Sequence, residues 1–128
     1  MNLRNRKLVR TIQVVFGLYL LFISVVGLFQ LFPPPQLNEA AMAFMNALFN
    51  TGYMVYAMDI IFIIAGLTFV FNKWSAFGAV LLAPITVNIL LFHAFLDMTG
   101  WWMVLIFVIL HVYLLAVHWA RYKPMFSK

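Results

Sequence analysis

The chain has 128 residues, 66% of them hydrophobic and only 9% charged, with a net charge of +5. Soluble domains carry about 25% charged residues, so a water-soluble fold of this size is excluded and lipid must solvate much of the surface. The basic residues form no stripe interleaved with aromatics, which excludes a nucleic-acid interface. With no cysteine, disulfides, thiolate metal sites and dithiol redox couples are excluded too.

The length suits one domain, 1–128. The first apolar run covers 8–32. It is longer than the 7–15-residue core of a signal peptide and no A-x-A-like site follows it, so it reads as a retained first helix. Gln13, Gly17, Leu20, Ser24 and Gly27 form a small-and-polar stripe along it. Pro33-Pro34-Pro35 ends the run, because proline cannot continue a helix.

Segment 38–51 follows. Asn38 is placed to cap a helix, with Glu39 in the first turn. Met42, Met45, Leu48 and Phe49 make one apolar stripe. The pattern fits either a short interfacial or re-entrant helix or an early start to the second span. Asn50-Thr51-Gly52 is the natural break between the two.

The remaining apolar runs cover about 52–71, 76–96 and 101–120. Each reaches the roughly 20 residues that span about 30 Å of hydrocarbon as a helix. Period-2 alternation is absent, which argues against a barrel. The predicted fold is therefore an all-α integral membrane bundle of four transmembrane helices. Lys73 and the basic residues before the first and after the fourth run all fall on one side. The positive-inside rule makes that side cytoplasmic, so both termini are expected inside. The four Trp residues and Tyr122 lie near helix ends, as interfacial anchors do.

Asp59 is the only charged residue inside an apolar run. A carboxylate in hydrocarbon costs several kcal/mol unless protonated, paired or wetted. Gly52, Tyr56, Asp59, Ile63 and Gly66 form a second stripe. It is expected to meet the first stripe, because small residues allow close helix packing in lipid. Counting at 1.5 Å per residue places Asp59 about 10 Å, Asn88 about 13 Å, His111 about 16 Å and His93 about 6 Å below the outer surface. Asp59, Asn88 and His111 are thus expected to converge on a polar pocket in the outer half, with His93 at its mouth. Tyr56 joins them as a ligand or proton-relay candidate. His93 and Asp97 stand at i, i+4 and could pair. Such a pocket suits a quinone head group, another small ligand or a coupling proton, and a buried network that merely fixes helix register uses the same residues. Axial haem ligands must share one depth, which His93 and His111 do not, so neither haem nor a metal site is expected.

The stretch Pro84-Ile-Thr-Val-Asn88-Ile-Leu-Leu-Phe92-His93-Ala-Phe-Leu-Asp97 resembles the DoxX/DoxD-like family of small bacterial membrane proteins. Asn50-Thr51-Gly52-Tyr53 and Gly66-Leu67 are similar as well. The resemblance spans nearly the whole chain and implies a four-helix protein of the bacterial inner membrane. Some members of that family are linked to quinone-coupled oxidation of thiosulfate. Others associate with oxidoreductases in thiol or oxidative-stress protection. Pro84, Asn88, Phe92 and His93 are the motif positions it carries over. Lacking cysteine and a soluble domain, the chain fits an accessory subunit beside an oxidoreductase partner better than an autonomous enzyme. An oligomeric small-molecule or proton-coupled transporter is the second expectation, and a non-catalytic assembly protein the third.

Overall fold

The structure is a computed structural model that describes residues 5–29, 31 and 37–127. Every regular element among them is helical: α1 (Arg6–Phe29), α2 (Glu39–Asn50), α3 (Met54–Phe71), α4 (Ser75–Phe95), α5 (Trp101–Val117) and α6 (Trp119–Tyr122), then a 3-10 turn at Lys123–Phe126. By length and composition α1, α3 and α4 could each cross a membrane. A fourth crossing is available if α5 and the segment after it count as one span, bent by 65°. Outward faces are apolar: Phe22, Ile60, Val87 and Ile109 are all more than half exposed, a surface that water would not tolerate and lipid would.

Two boundaries differ from expectation, at the first and fourth runs, and the choice left open for segment 38–51 is resolved. The first helix is described to Phe29 rather than 32, and Pro33, Pro34 and Pro35 lie outside the described residues. Segment 38–51 is a separate helix, because Gly52 turns the chain with φ of 80° before α3 begins. That conformation costs glycine little and other residues more. The fourth run breaks at His118, where the ring reaches Gln13 and the Tyr122 hydroxyl donates to the Ala76 carbonyl at 2.7 Å. Pro84 sits inside α4 without ending it.

The helices pack in the order α1, α3, α4, α5, with α1 lying chiefly along α3. The reason is visible in the small-residue stripes. A methyl at Gly17 would lie 2.7 Å from the Gly66 carbonyl oxygen, and one at Gly66 would lie 2.9 Å from that of Gly17. Two glycines thus bring two backbones into contact, which supplies the dispersion that lipid does not. Gly52 and Tyr56, expected on the same seam, are not part of it. Gly52 belongs to the turn, and Tyr56 is 56% exposed. Between the helices, Phe16, Leu20, Phe62, Phe69, Leu82 and Leu114 fill the core.

Replacing Gly17 by Ala should destabilise the fold by about 2 kcal/mol, since backbone cannot yield as a flexible side chain can. Thermal unfolding in detergent, with lipid-facing Val15→Ala as the control, measures it. Equal melting of the two variants would mean that the seam is looser than described.

Candidate functional site

The polar residues of the chain separate into two ends and a groove. At one end, Gln13 is fully buried. Its Nε2 donates to Asn72 Oδ1 at 2.9 Å and to Ser75 Oγ at 3.3 Å, while its Oε1 accepts from His118 Nε2 at 2.9 Å. Ser75 Oγ continues the network by donating to the Thr68 carbonyl at 3.2 Å. One amide thus joins the start of α1, the α3–α4 turn and the break after α5. Asn72 can serve because its backbone is left-handed, with φ of 55°, a conformation that Asn tolerates better than most residues. The small-and-polar stripe puts Gln13 on the correct face but carries no sign of His118. No spacing rule links residues 105 positions apart.

At the other end, Asn38 does two jobs. Its Oδ1 accepts from the Ala41 amide at 2.8 Å, as an N-cap should, and its Nδ2 donates to the Leu96 carbonyl at 2.5 Å. It thereby ties the start of α2 to the end of α4. Asp97 does not pair with His93. Helix α4 stops at Phe95, so the i, i+4 geometry is lost, and Asp97 Oδ1 instead accepts from the Thr99 amide at 2.9 Å. Hydrogen bonding from Thr99 holds the Asp97 carboxyl below its usual pKa, with a smaller contribution from His93.

The expected convergence of Asp59, Asn88 and His111 does not occur. His111 lies in the core, stacked 6.4 Å from the Phe16 ring, and its Nε2 donates to the Ala79 carbonyl at 2.7 Å. Ala79 and Asn88 are nine residues apart on α4, about 13 Å. Equal counting from the loop misplaced α5 because the 96–100 connection does not hold α4 and α5 level. Asp59 is buried and turned toward α1, where a methyl at Gly27 would lie 3.0 Å from its Oδ2. On α3 it stands about 100° from Met58 and about 160° from Ile61, which face the opposite side.

That opposite side holds a groove of about 420 Å³ between α2, α3 and α4. Phe44, Met45 and Leu48 of α2 form one wall, and Met54, Met58 and Ile61 of α3 form another. Helix α4 supplies Pro84, Asn88, Phe92 and His93. The Phe44 and Phe92 rings meet at 5.5 Å and hold α2 over the groove. His93 Nδ1 contacts the Ile89 carbonyl at 2.9 Å. A carbonyl only accepts, so Nδ1 carries the proton and Nε2 of the neutral ring remains an acceptor. Asn88 is exposed and offers an amide donor and acceptor. The volume and the mainly apolar lining, with two polar groups, match sites for small apolar ligands. The four motif positions therefore line one groove, while Asp59, His111 and Tyr56 stand elsewhere.

Two buried polar atoms have no hydrogen-bond partner among the described residues: Asp59 Oδ2 and Thr86 Oγ1. Thr68 abuts Gly78 across α3 and α4. Nine residues back and eight forward from that contact place Asp59 and Thr86 at depths about 1.5 Å apart. No group of three His, Asp or Glu side chains able to hold a metal is present among the described residues. Comparison with protein-family models, curated proteins and solved structures returns no match to this chain.

An unsatisfied buried carboxyl oxygen lowers stability, so Asp59→Asn should melt at or above wild type. A loss of more than about 2 kcal/mol would instead reveal a bonded carboxylate. A second outcome concerns pH. Asp97 has a folded pKa below the unfolded one, so its stabilising contribution is present above the ordinary carboxylate value and lost as pH falls through the lowered one. Asn keeps the acceptor but does not titrate. Asp97→Asn should therefore lose less stability than wild type between about pH 5 and pH 2, read as melting temperature against pH.

Proposed function

We propose that this chain is a four-span protein of the bacterial inner membrane that holds a quinone-type ring in the α2–α3–α4 groove. On this reading it works as a membrane subunit beside an oxidoreductase partner. In the proposed arrangement α1, α3, α4 and the bent α5–α6 unit cross the bilayer, and α2 lies at the outer surface. Both chain ends then face the cytoplasm. The charge distribution supports that orientation, since Lys73, Arg10 and Arg121 gather at the end knotted by Gln13 while Glu39 and Asp97 sit at the other.

The observation that carries the ligand is the groove itself: Pro84, Asn88, Phe92 and His93 line one cavity of about 420 Å³. A quinone ring is flat and apolar, with acceptor carbonyls. Met and Phe side chains suit its faces because thioethers adapt to aromatic surfaces. The Asn88 amide can donate to a quinone carbonyl. His93 Nε2 can accept the hydroxyl proton of the reduced quinol. The pair would therefore serve both redox forms without moving. The resemblance of 84–97 to the DoxX-like pattern points the same way, since quinone-linked oxidation is known in that family. Asp59 lies outside this groove and has no part in the proposal.

The test is quinone retention. Protein purified in mild detergent from quinone-containing membranes should carry extractable quinone. Asn88→Leu should reduce it about tenfold, the worth of one good hydrogen bond in an apolar site, whereas Asp59→Asn should keep it. Equal quinone in wild type and Asn88→Leu would sink the reading.

A further inference from the structure

At the end knotted by Gln13 lies a second cavity, of about 590 Å³, with different chemistry. Arg6, Lys7 and Arg10 of α1 line it together with Asn72 and His118, over an apolar base of Val9 and Val117. No side-chain carboxylate among the described residues answers the three cations. The chain contains three acidic residues in all, namely Glu39, Asp59 and Asp97. Asp59 stands thirteen residues up α3 from Asn72, about 20 Å away. Asp97 lies beyond the far end of α4, about 30 Å from Ser75. Glu39 opens α2, which Asn38 pins to that same far end. At a Debye length of about 8 Å in physiological salt, none of the three offsets the cleft.

Other features of the cleft add to its charge. It sits at the start of α1, the positive end of that helix dipole, and the first turn of α1 carries no acidic residue. Arg10 spends one long contact of 3.4 Å on the Phe69 carbonyl, which leaves most of its guanidinium donors free. Asn72 accepts from Gln13 on its Oδ1, and its side-chain amide N–H groups donate to no partner among the described residues. Like charges crowded in this way repel unless an anion joins them. The anion that fits several cationic donors over an apolar base is a phosphate attached to a hydrophobic body.

We propose that this cleft is a binding site for a phosphate-bearing ligand, with Arg6, Lys7 and Arg10 as the charged clamp, Asn72 as a neutral donor, and Val9 and Val117 against the apolar part of the ligand. Phosphate chemistry of this kind comes either from an anionic phospholipid head group or from a soluble phosphate compound. The site is separate from the quinone groove and does not depend on it.

The experiment uses the full chain in mixed micelles. Melting temperature is titrated with a phosphatidylglycerol against a phosphatidylcholine background, and in parallel with inorganic pyrophosphate in pure phosphatidylcholine. Two double variants are compared. Arg6→Gln with Lys7→Gln removes two cleft charges carried by exposed residues. Lys73→Gln with Lys123→Gln removes the same charge outside the cleft. The expected result is stabilisation by the anionic ligand, weakened about tenfold or more in apparent affinity in the cleft variant and less than twofold in the control. Stabilisation by phosphatidylglycerol alone assigns the ligand to the lipid. Stabilisation by pyrophosphate assigns a soluble phosphate. Equal weakening in both variants, or no stabilisation by either probe, would overturn the site. Circular dichroism of each variant separates loss of binding from loss of fold.

Discussion

Contact between the backbones of α1 and α3 at Gly17 and Gly66 sets the register on which the other polar placements rest. In water, burial of almost any apolar face would hold two helices together. In lipid that force is absent, and close approach must supply the attraction. Once Gly17 meets Gly66, Gln13 comes to lie about 6 Å toward one end of α1 and Gly27 about 15 Å toward the other. Gln13 then meets Asn72 and Ser75, and Gly27 meets Asp59. A side chain at either contact glycine would separate both sets of groups at once.

The two ends of that seam treat polarity differently. Gln13 is buried and bonded through both its oxygen and its nitrogen. Asp59 is buried with an oxygen that has no partner among the described residues. A satisfied amide in an apolar interior rigidifies what it joins, whereas an unsatisfied carboxyl costs stability. The knot at Gln13 therefore explains why α1, α3, α4 and α5 meet at one end. Asp59 remains an energetic burden on the seam rather than part of the groove.

Helix α2 changes the chemistry of the opposite flank. Held by Asn38 at one end and by the Phe44–Phe92 ring contact in its middle, it roofs the side of α3 and α4 that carries Met54, Met58, Asn88 and His93. Without that roof, Asn88 would point at lipid from a bare helix. With it, Asn88 and His93 become the polar pair of a groove. The basic cleft at the other end is built from the first turns of α1 and the end of α5, so the two cavities share no wall.

Much of this was legible in the sequence because lipid imposes simple rules. Run length and the absence of period-2 patterning specified helices and their approximate bounds. The small-residue stripes located the face on which α1 meets α3. Asn38 as a cap and the break near Gly52 followed from local backbone chemistry, which needs only neighbours in the chain. What the sequence could not supply was the relative height and rotation of helices distant in the chain. His111 was placed beside Asn88 by counting from a loop, and the tertiary structure put it level with Ala79. Asp59 does meet Gly27, as the stripes implied, but it was also assigned to a pocket with Asn88 and His111, from which the rotation of α3 separates it. The Gln13–His118 bond also needs two chain ends to meet. Composition and periodicity act along one helix at a time, and depth in a bundle is decided only when the side chains of neighbouring helices interlock.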